Sequence, residues 1–174
     1  MPEQKRPLVG ILMGSESDWP KIQAVAAALE EFGVPYEARV MSAHRTPDLV
    51  REYAAAAEGR GLKVLVAAAG GAAHLAGVVA SHTTLPVIGI PVPTDLMGGL
   101  DSLLSMVQMP GDVPVAAVGT GTGAPRNAGL LAVQVLALSD PALQAKLAEF
   151  KQKLVEKVTA RDAAFQEKRR GGKP

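Results

Sequence analysis

Residues 62–75 read LKVLVAAAGGAAHL, and this stretch decides the fold. From Val64 to Ala69 every position is apolar, with no alternation of polar residues. A strand with one wet face alternates, whereas a strand covered on both faces does not. Leu62–Ala69 therefore reads as a central strand of a parallel sheet. The chain then turns into Gly70, Gly71, Ala72 and Ala73, small enough to let a flat ligand approach the backbone before His74 and the next helix.

Short apolar runs of the same kind recur at Pro7–Met13, Val34–Met41, Pro86–Val92 and Val113–Gly119, giving five expected strands. Between them lie stripes of helical period. One is Ile22, Val25, Ala26, Leu29 and Phe32, and another is Leu49, Val50, Tyr53, Ala54 and Ala57. Alternation of covered strands with amphipathic helices predicts a three-layer α/β/α domain with a doubly wound parallel sheet. In such sheets ligands bind beyond the carboxyl ends of the strands, beside the point where strand order reverses. The residues to read are thus GSESD, SAHRTP, AGGAAH and PVPTD.

Composition bounds the rest. The 174 residues suffice for one domain with a full core, and the 48% apolar and 20% charged content is globular. A net charge of +1 gives no electrostatic case for a nucleic acid or a membrane surface. The chain has no cysteine, which removes disulfide and thiolate chemistry and fits a reducing cytosol. No apolar run nears the roughly 20 residues of a membrane span, and MPEQKRP lacks a signal-peptide core, so a cytoplasmic protein is expected.

The expected layout is a flexible stretch at 1–6, one domain over 7–167, and a flexible basic tail at 168–174. The domain ends in a helix over 140–167, with Asp140 as N-cap, Pro141 in the first turn, and Leu143, Leu147, Phe150, Leu154 and Val158 along one stripe. At about 1.5 Å per residue it would reach about 40 Å. Two readings stand: its stripe lies across its own domain, or it meets another subunit.

Each strand-end loop also has two readings. In Gly14-Ser15-Glu16-Ser17-Asp18, Ser17 or Asp18 can simply cap a helix, or the free N–H groups and hydroxyls can hold a phosphate while the carboxylate holds sugar hydroxyls. In Ser42-Ala43-His44-Arg45-Thr46-Pro47-Asp48, helix initiation accounts for Thr46 as N-cap, Pro47 and Asp48, but not for His44 and Arg45. Those two are either surface residues or a proton carrier beside an anion clamp. His74 puts a second imidazole on the same sheet edge. His82 reads as a residue at a helix C-terminus, where the dipole favours it. A metal site on His44, His74 and His82 lacks any ligand spacing, and no Walker or GxGxxG loop occurs, so neither metal nor dinucleotide chemistry is expected.

Together, MGSESD (13–18), SAHRTPD (42–48), AGGAAHL (69–75) and GLDSLLSMVQMP (99–110) closely resemble, in order and spacing, the N5-carboxyaminoimidazole ribonucleotide mutases of purine biosynthesis. The resemblance runs from Val9 to about Leu138. Possession of both histidine motifs is similar to the class I mutases, whereas the related carboxylases that fix CO2 directly lack the second. The chain departs from the family pattern at Ala76 (usually proline), at Asp112 (usually glycine), and at Pro125-Arg126 within GAPRNAG.

The resemblance implies a flavodoxin-like fold, a nucleotide substrate, no cofactor and a homo-octamer, and links the chain to the ATP-dependent enzyme that makes the N-carboxylated substrate. It implies that His44 is the general acid and base, with His74 hydrogen-bonding near the carboxylate. Ser15 and Arg45 would hold phosphate and Asp18 the ribose, helped by Ser17 and Ser42. Gly14, Ala43, Gly70, Gly71 and Ala72 would line the site, which residues of DSLLSMVQMP from a neighbouring subunit would complete. The alternative of another class is a non-catalytic nucleotide or phospho-signalling module. A receiver domain, however, would need clustered strand-end acids, and the third strand here ends in small residues.

Overall fold

The computed structural model describes residues 6–172; residues 1–5 and 173–174, parts of the two expected flexible ends, lie outside them. The chain divides into two compact units, one reaching Leu136 and the other beginning at Ala137.

The first unit is built on five strands: β1 (Val9–Met13), β2 (Tyr36–Val40), β3 (Val64–Ala69), β4 (Val87–Pro91) and β5 (Ala116–Ala117). They lie side by side in the order β2-β1-β3-β4-β5, every neighbouring pair parallel. The helices are α1 (Trp19–Ile22), α2 (Ala24–Phe32), α3 (Pro47–Ala56), α4 (Leu75–Ala80), α5 (Leu100–Val107) and α6 (Ala124–Ala137). Every residue of β1, β3 and β4 is buried, which requires helical cover on both faces. This is the expected three-layer, doubly wound parallel sheet. From β1 the chain steps outward to β2 and then returns to place β3 on the other side of β1, so strand order reverses between β1 and β3. The loops after β1 and β3 therefore part at their carboxyl ends and leave a crevice.

The strands are shorter than their apolar runs. Most of Val113–Gly119 is not strand: Pro114 has no N–H to give a ladder, Gly119 sits at φ 126°, and only Ala116 and Ala117 pair with β4. The first helical stripe is buried throughout, although Gln23 separates α1 from α2. The second loses its first member. Val50, Tyr53, Ala54 and Ala57 are buried, but Leu49, at the margin of that face and in the open first turn of α3, is 56% exposed. On this side of the sheet Leu12, Leu65, Val50, Tyr53, Leu75, Val79 and Met106 form one apolar cluster.

Gly10 in β1 has a packing role. A Cβ there would lie 2.4 Å from the Tyr53 hydroxyl, so the missing side chain is what lets Tyr53 cross β1 and donate to Glu37 Oε1 of β2 at 2.7 Å. Arg60 also pairs with Glu37, and its guanidinium lies 5.0 Å from the Tyr53 ring centroid. Helix α3, which carries the 42–46 turn at its start, is thereby rooted in the sheet.

The second unit is dominated by α7 (Pro141–Gly171), 31 residues long, or about 46 Å at ~1.5 Å per residue. Asp140 caps it as expected, its Oδ1 accepting from the N–H groups of Ala142 (2.9 Å) and Leu143 (3.1 Å), with Pro141 at the first position. The helix continues past Glu167, so residues 168–171 are helical. Lys168, Arg169 and Arg170 occupy its last turn, where the negative end of the dipole favours them. Leu143 is buried, whereas Leu154, Val155, Val158 and Phe165 stand exposed.

Candidate active site

The loop after β1 is closed by its own hydroxyls. Ser15 Oγ accepts from the Ser17 N–H at 3.3 Å and lies 2.8 Å from Ser17 Oγ, capping the short 3-10 turn Glu16–Asp18. Neither Ser17 nor Asp18 makes the expected side-chain cap of α1; Ser15 caps only the 3-10 turn before it. Asp18 stands at the N-cap position of α1 but makes no side-chain cap bond, which leaves its carboxylate to the crevice.

The loop after β2 is knotted the same way. Ser42 Oγ accepts from the N–H groups of His44 (3.3 Å) and Arg45 (3.2 Å). Thr46 Oγ1 accepts from the Ser42 N–H at 2.9 Å and donates to the Ser42 carbonyl at 3.1 Å. Thr46 therefore holds the N-cap position of α3 without capping it, because its hydroxyl is turned back onto Ser42. Pro47 begins the helix as expected. This five-residue turn leaves the His44 and Arg45 side chains exposed, and Arg45 reaches back to donate to the Gly14 carbonyl at 2.8 Å.

Beyond β3, Gly71 takes φ 68°, a left-handed conformation natural to glycine, and the chain enters α4 with His74 at the N-cap position. His44 Nε2 and His74 Nδ1 are 2.8 Å apart, with the rings edge to face. One nitrogen must donate and the other accept, so the contact holds one proton between two imidazoles.

This loop is tethered from α5. Ser102, fully buried, accepts from the Gly71 N–H at 2.9 Å and donates to the Val92 carbonyl at 2.7 Å. Asp101 Oδ1 accepts from Thr94 Oγ1 (2.7 Å) and from the Ser102 N–H (2.8 Å). The Thr94 bond foremost, with those of Ser102, holds the Asp101 carboxyl below the usual aspartate range.

These loops enclose a cleft of about 390 Å³, within the range of small-molecule sites. Of the residues singled out in the sequence, Gly14, Ser15, Asp18, Ser42, Ala43, His44, Arg45, Gly70 and Ala72 line it. Ser17, Gly71 and His74 stand one contact behind, through Ser15, the Ser102 tether and His44 respectively. Sequence reasoning missed Lys21, Leu75, Val92, Pro93 and Thr94 as lining residues. The PVPTD segment after the fourth strand held the signal for three of them, while nothing marked Lys21, one turn beyond Asp18. Asp101 and Ser102 belong to a motif expected to complete a neighbour's site; here they brace the loops of their own chain.

His82 lies just past α4, its N–H donating to the Val79 carbonyl, away from the cleft. Among the described residues no three His, Asp or Glu side chains are grouped to hold a metal ion. The departures from the family pattern also have places. Ala76 is fully buried at the second position of α4, where proline is equally at home. Arg126 forms an exposed ion pair with Glu31, and Asp112 adopts φ 69°.

A family model described as AIR carboxylase matches residues 8–157. An N5-carboxyaminoimidazole ribonucleotide mutase of Mycobacterium tuberculosis is 54% identical over 165 residues, covering 95% of this chain and 94% of that protein. A protein of the same name from Bacillus subtilis is 56% identical over 144 residues, covering 83% of this chain and 89% of its own length. Among solved structures, a crystal structure of Treponema denticola PurE superposes with a TM-score of 0.78 at 31% identity, covering 91% of this chain and 98% of that one.

Proposed function

Since the chain belongs to the AIR carboxylase family, we propose that it converts N5-carboxyaminoimidazole ribonucleotide to 4-carboxy-5-aminoimidazole ribonucleotide in purine biosynthesis, as an intramolecular carboxylate-transfer mutase. The observation that carries the reading is the His44–His74 pair, with His44 lining a cleft that Ser15, Ser42 and Arg45 also line.

The reaction breaks the bond between the exocyclic nitrogen and the carboxylate carbon, releasing CO2 while that nitrogen gains a proton. Ring carbon C4 then attacks the CO2 and loses its own proton. One proton enters and one leaves, so a single imidazole suffices. His44 serves as that acid and base, and His74 follows each transfer through the hydrogen bond the two rings share. Ser15, Ser17 and Arg45 hold the phosphate. One guanidinium N–H is spent on Gly14, and the rest of the fork remains for the ligand. Asp18 takes the ribose hydroxyls, Ser42 fixes the turn, and the small residues Gly70–Ala72 shield the CO2 from water. The chemistry needs neither metal nor cofactor.

Residues 7–167 act as one mutase domain, assembled as a homo-octamer through the exposed apolar residues of α7, and the sites borrow residues from neighbouring subunits. Among the described residues no helix is long and apolar enough to cross a membrane. This agrees with a cytoplasmic enzyme that takes its substrate from the ATP-dependent enzyme forming the N-carboxylated nucleotide.

The test offers the protein either the N-carboxylated nucleotide or aminoimidazole ribonucleotide with excess CO2, and follows formation of the C4-carboxylate. Efficient conversion of the first is expected. Conversion of only the second would make the chain a direct carboxylase, and tight nucleotide binding with no carboxylate transfer would make it a binding module.

A further inference from the structure

We propose that Ser102 is a positioning residue that sets the Gly70–Ala73 wall so that CO2 freed in the cleft is captured by C4 instead of escaping; this rests on the mutase reading above. Ser102 carries a polar side chain with no solvent exposure. A hydroxyl has one proton to give, and Ser102 gives it to the Val92 carbonyl while accepting from the Gly71 N–H. The two groups it joins lie just beyond neighbouring strands, Gly71 after β3 and Val92 after β4. Gly70 and Ala72 flank one attachment point, Pro93 and Thr94 follow the other, and all four line the cleft.

The loop has little else to hold it. Within it, the Ala73 N–H bonds Gly71 O and the His74 N–H bonds Ala72 O, contacts that shape the turn but do not fix its place. Among the described residues the other outside ties are a longer bond, 3.3 Å, from Ser105 Oγ to Gly71 O and the His44–His74 contact at the far end of the loop. Asp101 braces the same point by accepting from the Ser102 N–H and from Thr94. His74 follows Gly71 by three positions, so a displaced loop also moves His74 against His44. Ser102 thus touches no reacting atom, yet it sets both the wall that confines CO2 and the imidazole that tunes the proton carrier. The intermediate is neutral, small and tied to no side chain, so wall geometry rather than binding strength decides whether the second carbon bond forms before CO2 diffuses away.

The consequence is a change in partition. The full-length enzyme is given N-carboxylated nucleotide in buffer containing 13C-bicarbonate. The aminoimidazole ribonucleotide left uncarboxylated and the 13C in the C4-carboxylate are measured, after subtracting enzyme-free decarboxylation. Ser102→Ala strands the Gly71 N–H and the Val92 carbonyl, and should raise the leaked fraction and the label uptake about tenfold, since small misplacements of a wall can cost up to about 10²-fold. Asp101→Ala should leak to a lesser extent. Asp101→Asn, whose amide oxygen accepts the same two bonds, should return the partition toward that of the parent.

A lowered melting temperature with unchanged partition in both Ser102→Ala and Asp101→Ala would reduce Ser102 to a structural tie and overturn the proposal. Should Ser102→Ala fail to fold, the Asp101 pair decides: leakage in the alanine variant relieved in the asparagine variant supports it, and parental partition in both overturns it. Failure of the parent enzyme itself to form the C4-carboxylate would instead remove the mutase reading.

Discussion

The two walls of the cleft are held in different ways. On the β1–β2 side, Ser15 and Ser17, then Ser42 and Thr46, close their own turns with bonds spanning two to four positions, while Arg45 and His44 reach further, to Gly14 and His74. On the β3–β4 side the small-residue loop cannot close itself. It is fixed by a serine 31 positions away in sequence, which in turn needs α5 to be in place. The first wall carries the hydroxyl and ionisable side chains proposed to bind substrate and move protons, while the second carries mostly shape. A wall that must present charged side chains can be preorganised locally; one that must offer bare backbone has no side chains with which to brace itself.

The most severe way to break this contrast is at His44. Replacement by asparagine should lower turnover by at least ~10²–10⁴-fold while nucleotide binding, followed by calorimetry, stays near the parent value. Retained turnover would move the chemistry off the first wall. Arg45→Lys comes next. It keeps the charge but loses the planar fork that donates to Gly14 and would have N–H groups left for an anion, and should weaken nucleotide affinity by about 10- to 100-fold, at ~1.5–3 kcal/mol for a charged hydrogen bond. An equal loss in kcat with affinity unchanged would show that Arg45 acts on the reaction and not on binding.

What could be read from the sequence follows the same division. The unbroken apolar run Val64–Ala69 carried the parallel sheet, because burial on both faces erases the alternation that a strand with one wet face keeps. The loops at strand ends followed from the fold class, and His44 and Arg45 stood out because helix initiation left them unexplained. Thr46 shows the limit of local reading: a threonine before proline at a helix start has two uses for its hydroxyl, and only packing decided that it turns back to Ser42. The segments holding Ser102 and Thr94 were marked in the sequence, but the bonds these two make gave no local sign, since their partners are brought together by the sheet. The roles of individual residues came from the family resemblance, not from periodicity or composition.

A smaller effect is expected where the first wall meets the sheet, at the Glu37–Tyr53–Arg60 cluster that roots α3. Burial alone would raise the Glu37 carboxyl. The hydrogen bonds from Tyr53 and Arg60, with the charges of Arg60 and Arg39, outweigh it and hold Glu37 below the ordinary glutamate value. A carboxylate depressed in the fold stabilises at pH above its unfolded value, near 4.5, and loses that contribution as pH falls through its lower folded value. Glu37→Gln should therefore be less stable than the parent at pH 7 by about 1 kcal/mol, and the gap should narrow on acidification below pH 4.5 in urea unfolding. A gap that is constant with pH would mean the cluster holds α3 by shape alone.

The smallest effect tests the contrast from outside the cleft. Asp112 sits at φ 69°, in the left-handed region that costs an L-residue roughly 1 kcal/mol, though aspartate tolerates it better than most. The family pattern places glycine at this position, and Asp112→Gly removes that strain. Against this, glycine adds freedom to the unfolded chain, about 0.4–1 kcal/mol in the opposite direction. Asp112 has a φ that glycine favours and no side-chain hydrogen bond to lose, so relief of strain should slightly prevail: a gain of about 0.5 kcal/mol, or ~1–2 °C in Tm for a chain of this size. The segment lies outside the residues lining the cleft, so partition between product and leaked CO2 should not move. A changed partition in this variant would show that the second wall is set by more of the chain than α5, and would blunt the contrast between a wall that closes itself and one that is held from afar.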